Sequence, residues 1–140
     1  MEGMEEYVDF ELGMLLKEAG FDEDCFLAYV KFPREIKVVN YTYTPNNSDL
    51  KDLWGNKKFC SAPTYHSVLN WLFREHGIFV SVNVNVVDHS TLYMGDNHYY
   101  FRVYKNRRQI LKEEEPKMFR TPQEAVSSAI DRIVRNIGSL

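Results

Sequence analysis

Between residues 65 and 87 the spacing of apolar side chains switches from a three-and-four pattern to a two-residue pattern, and the switch falls at one glycine. Tyr65, Val68, Leu69, Leu72 and Phe73 follow i, i+3, i+4, i+7, i+8, which predicts a helix with one buried face. From Ile78 onward, Val80, Val82, Val84 and Val86 alternate with Phe79, Ser81, Asn83, Asn85 and Val87, the period of a strand with one buried side. Gly77 stands at the junction as a left-handed helix stop, with Ile78 expected to reach back to Phe73 in a Schellman motif. Pro63 suits the first turn of this helix, where a missing N–H costs nothing. A chain that passes from helix to half-buried strand in this way must cover a sheet with helices, so the expected class is α+β.

Two further helices are predicted. Val8, Leu12, Leu15, Leu16 and Ala19 form a stripe over about Glu5–Ala19, closed by Gly20 with Phe21 folding back on Leu16. Thr121-Pro122-Gln123-Glu124 reads as a capping box ahead of Val126, Ala129, Ile130, Ile133, Val134 and Ile137, with Gly138 as the stop. Strands are expected at Cys25–Phe32, Ile36–Thr44, His98–Tyr104 and Gln109–Glu113, the last two joined by a polar turn at Lys105–Arg108. Residues 45–61 have a loop's Asn, Asp and Lys content, although Trp54 and Phe59 suggest that part of the loop folds down. The expected architecture is a single domain, 1–140, with one antiparallel sheet of about five strands and three helices in the order α-β-β-α-β-β-β-α. Leu15–Phe21 and Leu72–Ile78 share a helix end, a glycine and an apolar restart, which fits either an internal repeat or convergent capping.

Composition narrows the functional classes. No apolar run approaches the roughly 20 residues of a membrane helix, and the acidic start MEGMEEYVDFEL lacks the basic and apolar regions of a signal peptide. A cytoplasmic location is expected. Cys25 and Cys60 are too few and too far apart for a disulfide scaffold or a zinc framework. The seven glycines form no phosphate-binding loop, and no GxSxG, HExxH or DxDxDG is present. The net charge of −3 is uneven: residues 1–24 carry nine acids and one base, whereas 102–135 carry nine bases and five acids. That asymmetry fits a solvated acidic helix beside a cationic hairpin, or a basic surface for an anionic partner.

The candidate residues carry weak chemistry. His89-Ser90-Thr91 resembles one half of a paired His-x-Thr phosphoesterase motif, but His66-Ser67-Val68 lacks the hydroxyl that a second half needs. His89, Asp96 and His98 could approach one another around a hairpin loop, as metal ligands or as ordinary turn residues. Cys60 lies just upstream of a helix whose dipole could lower its pKa, or it is a buried apolar residue. Neither a cofactor nor a metal site is expected. Lys105, Arg107 and Arg108, preceded by Tyr99, Tyr100, Phe101 and Tyr104, join charge to stacking surface as nucleic-acid contacts do, although strand alternation must send half the aromatics to the core. Trp54 and Trp71 either form a protein-binding surface or pin a loop and pack inward.

Several segments taken together carry a resemblance. Tyr7-Val8-Asp9-Phe10-Glu11-Leu12, Lys17-Glu18-Ala19-Gly20-Phe21-Asp22, Ser61-Ala62-Pro63-Thr64, Trp71-Leu72-Phe73-Arg74-Glu75 and Phe119-Arg120-Thr121-Pro122-Gln123-Glu124-Ala125 run through nearly the whole chain. The pattern resembles a group of small α+β proteins of Bacteroidetes genomes and their phages and prophages. The resemblance implies a bacterial or mobile-element origin and brings no activity. The expected function is a non-enzymatic interaction module that binds a protein partner or a second copy of itself. A nucleic-acid module using the 105–108 turn is the alternative, and an enzyme with an unfamiliar site is the third class.

Overall fold

The computed structural model describes residues 7–32, 34–40, 46–49, 58–84, 98–113 and 117–140. The elements are α1 (Phe10–Glu18), β1 (Leu27–Phe32), β2 (Glu35–Asn40), β3 (Phe59–Ser61), α2 (Tyr65–His76), β4 (Ile78–Val84), β5 (Tyr99–Lys105), β6 (Arg108–Ile110) and α3 (Pro122–Arg135). A 3-10 turn follows at Ile137–Ser139, and 47–49 form a further helical turn. The class is α+β. The expected single sheet of about five strands with three helices is corrected: the described strands form two antiparallel three-stranded sheets, β2-β1-β3 and β4-β5-β6, and the helix at 47–49 is a fourth, in a stretch whose composition reads as loop. The cause is β3, which lies in a stretch whose polar content reads as loop. It pairs with β1 through Ala28↔Ser61, Tyr29↔Cys60 and Val30↔Phe59, so both sides of β1 are taken within the first half of the chain. The chain groups into two compact units, Met1–Trp71 and Leu72–Leu140.

In the first unit, α1 begins at Phe10 rather than near Glu5, because the Asp9 carboxylate accepts the Leu12 N–H at 2.8 Å as an N-cap. The far end closes as expected. Gly20 has a φ of +96°, its N–H bonds Lys17 O at 3.1 Å, and Phe21 N–H bonds Leu16 O at 2.9 Å, which are the two bonds of a Schellman motif. Val8 is buried and donates its N–H to Pro63 O at 3.0 Å. Pro63 therefore precedes α2 instead of occupying its first turn, and Thr64 Oγ1 caps the helix by accepting the Ser67 N–H at 3.0 Å. Ala28, Val30 and Phe59 form a buried cluster with Phe32 and Val39 against it. On the opposite face, Tyr29 donates its hydroxyl to Val8 O and meets Phe10 edge-on at 6.1 Å. Asn47 ties its helical turn down by donating to Phe21 O at 2.6 Å and accepting the Ser61 N–H at 2.9 Å.

Along α2 the buried row is Val68, Trp71 and Leu72, while Phe73 is 64% exposed. The expected stripe is thus rotated, because the larger indole takes the inward position and sets its ring edge-on to Phe21 at 5.3 Å. The end of α2 also differs from expectation. Gly77 (φ +66°) donates one bond to Phe73 O at 3.0 Å. That single bond is the simpler αL stop, and an outward Phe73 has no need of Ile78.

In the second unit, β4 and β5 pair from Ile78↔Lys105 to Val84↔Tyr99. Strand alternation then gathers Ile78, Val80, Val82, Phe101, Val103 and Ile110 on one side of the sheet. Helix α3 packs on β4 and β5 through a buried face of Ala125, Ala129, Ile130, Ile133 and Val134. Thr121 caps it by accepting the Glu124 N–H at 3.1 Å, with Pro122 in the first turn as expected. The helix ends at Arg135 with Asn136 as cap, ahead of Gly138. The turn between β5 and β6 is only Asn106-Arg107, both at positive φ (52° and 66°), which is the backbone of a type I′ hairpin. Both glycine-stopped helices lead to strands, yet the middle strand of its sheet is β1, the first strand after α1, in one unit and β5, the second strand after α2, in the other. Shared capping chemistry accounts for the sequence echo better than duplication does.

The approach of α1 to β3 depends on Gly13, where a Cβ would lie 2.8 Å from Cys60 Sγ and 3.1 Å from Ser61 O. Gly13→Ala gains about 1 kcal/mol of helix propensity, but the forced contact costs roughly 1–3 kcal/mol. A net loss of stability in chemical denaturation is expected. Cys60→Ala in the same chain should recover part of it, as a non-additive double-mutant cycle.

Candidate nucleic-acid interface

The register that sends the valines of β4 toward α3 sends a different set of side chains the other way. Phe79 pairs with Tyr104, Ser81 with Arg102, Asn83 with Tyr100, and Tyr104 with Gln109, so these seven residues share the outer face of the second sheet. Phe79 is 55% exposed, and its ring centroid lies 6.4 Å from that of Tyr104. Four residues along β5, or roughly 13 Å at the rise of an antiparallel strand, Tyr100 forms a second aromatic station. The guanidinium of Arg102 sits 5.4 Å over the Tyr100 ring, between the two stations. Residues 78–84 carry no charge, and residues 98–112 carry five Arg or Lys and no Asp or Glu. At the β6 side, a cleft of about 270 Å³ is bordered by Arg102, Gln109, Lys112 and Lys117. Among its described lining residues the acid is Glu113, which is paired with Arg132.

The three basic residues of the alternative nucleic-acid reading separate in the structure. Lys105 and Arg108 are not turn residues but opposed strand ends, and they fall on the same parity as Val103 and Ile110. Lys105 Nζ donates to Leu140 O at 2.7 Å, which commits that ammonium to the C-terminal segment. Arg107 is exposed in the turn itself. Of the four aromatics in the preceding run, Tyr99 and Phe101 share the valine side, where Phe101 stacks on Phe119 at 6.0 Å, whereas Tyr100 and Tyr104 look outward. Phe79 and Arg102 were not singled out from the sequence. For Phe79 the signal was parity, since it alternates with the apolar residues of β4, whereas for Arg102 the sequence did not say which side of its strand is buried.

Other candidates fare differently. Trp71 is buried, so of its two readings the structure takes inward packing and offers no indole surface to a partner. Trp54, His89 and Asp96 lie outside the described residues. His66 is exposed and within 3.2 Å of the Asn70 amide. Among the described residues no three His, Cys, Asp or Glu side chains gather as a metal site, and no helix is long and apolar enough to cross a membrane. Of the two readings of Cys60, the buried apolar residue is the one the structure shows. Burial pushes its thiol up to about 12, although the Lys17 ammonium opposes the shift. Burial likewise raises Cys25 to about 11, against a hydrogen bond with Ser61.

Comparison with protein-family models, with curated proteins and with solved structures finds no match to this chain. The geometry alone carries the functional argument.

The thiols generate a pH dependence. Both are protonated in the folded state far above the ordinary thiol range, whereas the unfolded chain ionises at about pH 8.5. Their contribution to stability is complete below that pH and is lost as pH rises towards 11 and 12. Denaturation midpoints should therefore fall above about pH 8.5, and Cys60→Ala should flatten the fall. Maleimide labelling at neutral pH should be slow until denaturant is added.

Proposed function

We propose that this protein binds single-stranded nucleic acid on the outer face of its second sheet. The observation that carries the reading is the pairing of Phe79 with Tyr104 on the same face as Tyr100 and Arg102, on strands without a carboxylate. Bases stack on aromatic rings and on guanidinium planes whatever their identity, and such stacking needs bases that are free of a duplex. The amides of Asn83 and Gln109 and the hydroxyl of Ser81 supply donors and acceptors beside the rings. Arg107 at the turn and Lys112 and Lys117 at the cleft supply phosphate contacts around the rim.

Retention of a fluorescent single-stranded oligonucleotide tests the reading. Binding should weaken with added salt, and duplex of the same sequence should bind less. Phe79→Ala with Tyr104→Ala should reduce affinity by about 1–3 kcal/mol per lost stack. Arg107→Ala should instead lower the salt slope by roughly 0.7 for one phosphate contact. Salt-independent retention, or binding that survives loss of both rings, would sink the idea.

A further inference from the structure

Among the described residues no strand pairs with the outer edge of β2, and its hydrogen-bonding groups can be assigned from the pairing of β1. Lys31 donates its N–H to Lys58 O at 2.9 Å, and Leu27 O accepts the Ala62 N–H at 2.9 Å, so the odd-numbered residues of β1 direct their backbone groups at β3. The even-numbered Ala28, Val30 and Phe32 must then bond β2 through their partners Val39, Lys37 and Glu35. That leaves the N–H and C=O of Ile36 and Val38 directed away from the sheet. Their side chains are 46% and 58% exposed.

We propose that β2 is a self-association edge that pairs antiparallel with β2 of a second copy, with Ile36 opposite Ile36. Charge selects both the occupant and the register. A two-fold pairing that keeps the faces of the joined sheet continuous can centre on Ile36, Lys37 or Val38. Centred on Lys37, two ammonium groups meet directly, which is destabilising. Centred on Val38, the two Val38 side chains cover each other, but Lys37 faces Val39 and Ile36 faces Asn40, so no charge is paired. Centred on Ile36, each Glu35 lies opposite the Lys37 of the other copy at the closely spaced, non-hydrogen-bonded position. Within one chain Lys37 Nζ is already 3.9 Å from Glu35 Oε1, so the joined strands close a row of four alternating charges. On the other face the two Ile36 side chains cover each other, and their N–H and C=O groups exchange both bonds. The edge belongs to the first unit, and the inference is independent of the nucleic-acid reading.

Sedimentation equilibrium over a wide range of concentration should move the mean mass from the monomer's 16.5 kDa towards twice that value. Glu35→Lys and Lys37→Glu each put like charges opposite one another, and each alone should be monomeric. Mixed, the two variants restore both opposite-charge pairs and should form a heterodimer. The side chains are 60% and 59% exposed, so neither change disturbs the core. A wild-type chain that stays monomeric throughout, or a dimer that both single variants leave intact, overturns the proposal.

Discussion

The pairing of Val80 with Val103 decides which side of the second sheet every neighbouring side chain occupies. Because the side-chain period of a strand is two, a slip of one residue would turn Val80 and Val82 outward and draw Ser81 and Asn83 against α3. The burial of Val103 and Ile78, at 1% each, opposes that slip. The short turn adds to it, since Asn106-Arg107 at positive φ fixes how Lys105 meets Arg108. The outer face is therefore a consequence of the inner one. Phe79, Tyr100, Arg102 and Tyr104 are held outward because the valines and Phe101 are held inward, and none of them has to hold the sheet together.

The first unit relies on a different constraint, the close approach of a helix to a strand. With no Cβ at Gly13, α1 can settle against Cys60 and the Ser61 carbonyl. That approach brings Lys17 Nζ to Phe59 O at 2.9 Å and 3.4 Å from the centre of the Phe59 ring. The thiol beneath α1 is kept neutral by the same packing, so the nearby ammonium compensates little. A nucleophilic role for Cys60 requires a thiolate near neutral pH, and the burial that makes this contact works against one.

What could be read in the sequence was whatever depends on a few neighbouring residues. The Gly20 stop with Phe21 behind it, the Thr121 cap with Pro122 and the alternation after Gly77 all obey local rules, and all appear at or near the expected positions. Start positions slipped where a side chain competed with the apolar pattern, as when the Asp9 carboxylate took the cap and left Val8 outside the helix. The number of sheets was not legible. It depends on whether Phe59-Cys60-Ser61 finds β1, and three residues in a polar stretch carry no period. Trp71 was ambiguous for another reason. The apolar stripe of α2 is broad, and only the position of Phe21 decides whether the indole or the Phe73 ring turns inward. The candidate interface was half legible, since the aromatics and cations could be listed but sorting them between faces needed the register.

The acidic balance of the whole chain is a poor guide to that interface. A net charge of −3 and a pI of about 5.8 average over residues whose charges are segregated along the sequence. The field at a surface is set by groups within about one screening length, roughly 8 Å at physiological salt. On the outer face of the second sheet the immediate groups are Arg102, two tyrosine hydroxyls, amides and a serine, with no carboxylate on the strands themselves. A phosphate approaching this face meets a cation locally whatever the total charge, and the rings beside that cation are uncharged, so stacking desolvates no further ion. What sets such a surface apart from an ordinary solvent-facing sheet is Phe79. A phenylalanine that is 55% exposed leaves much of its ring in water even as it pairs with Tyr104 across the strands. Its position opposite Tyr104, rather than the count of basic residues, is what supports the proposed role of the face.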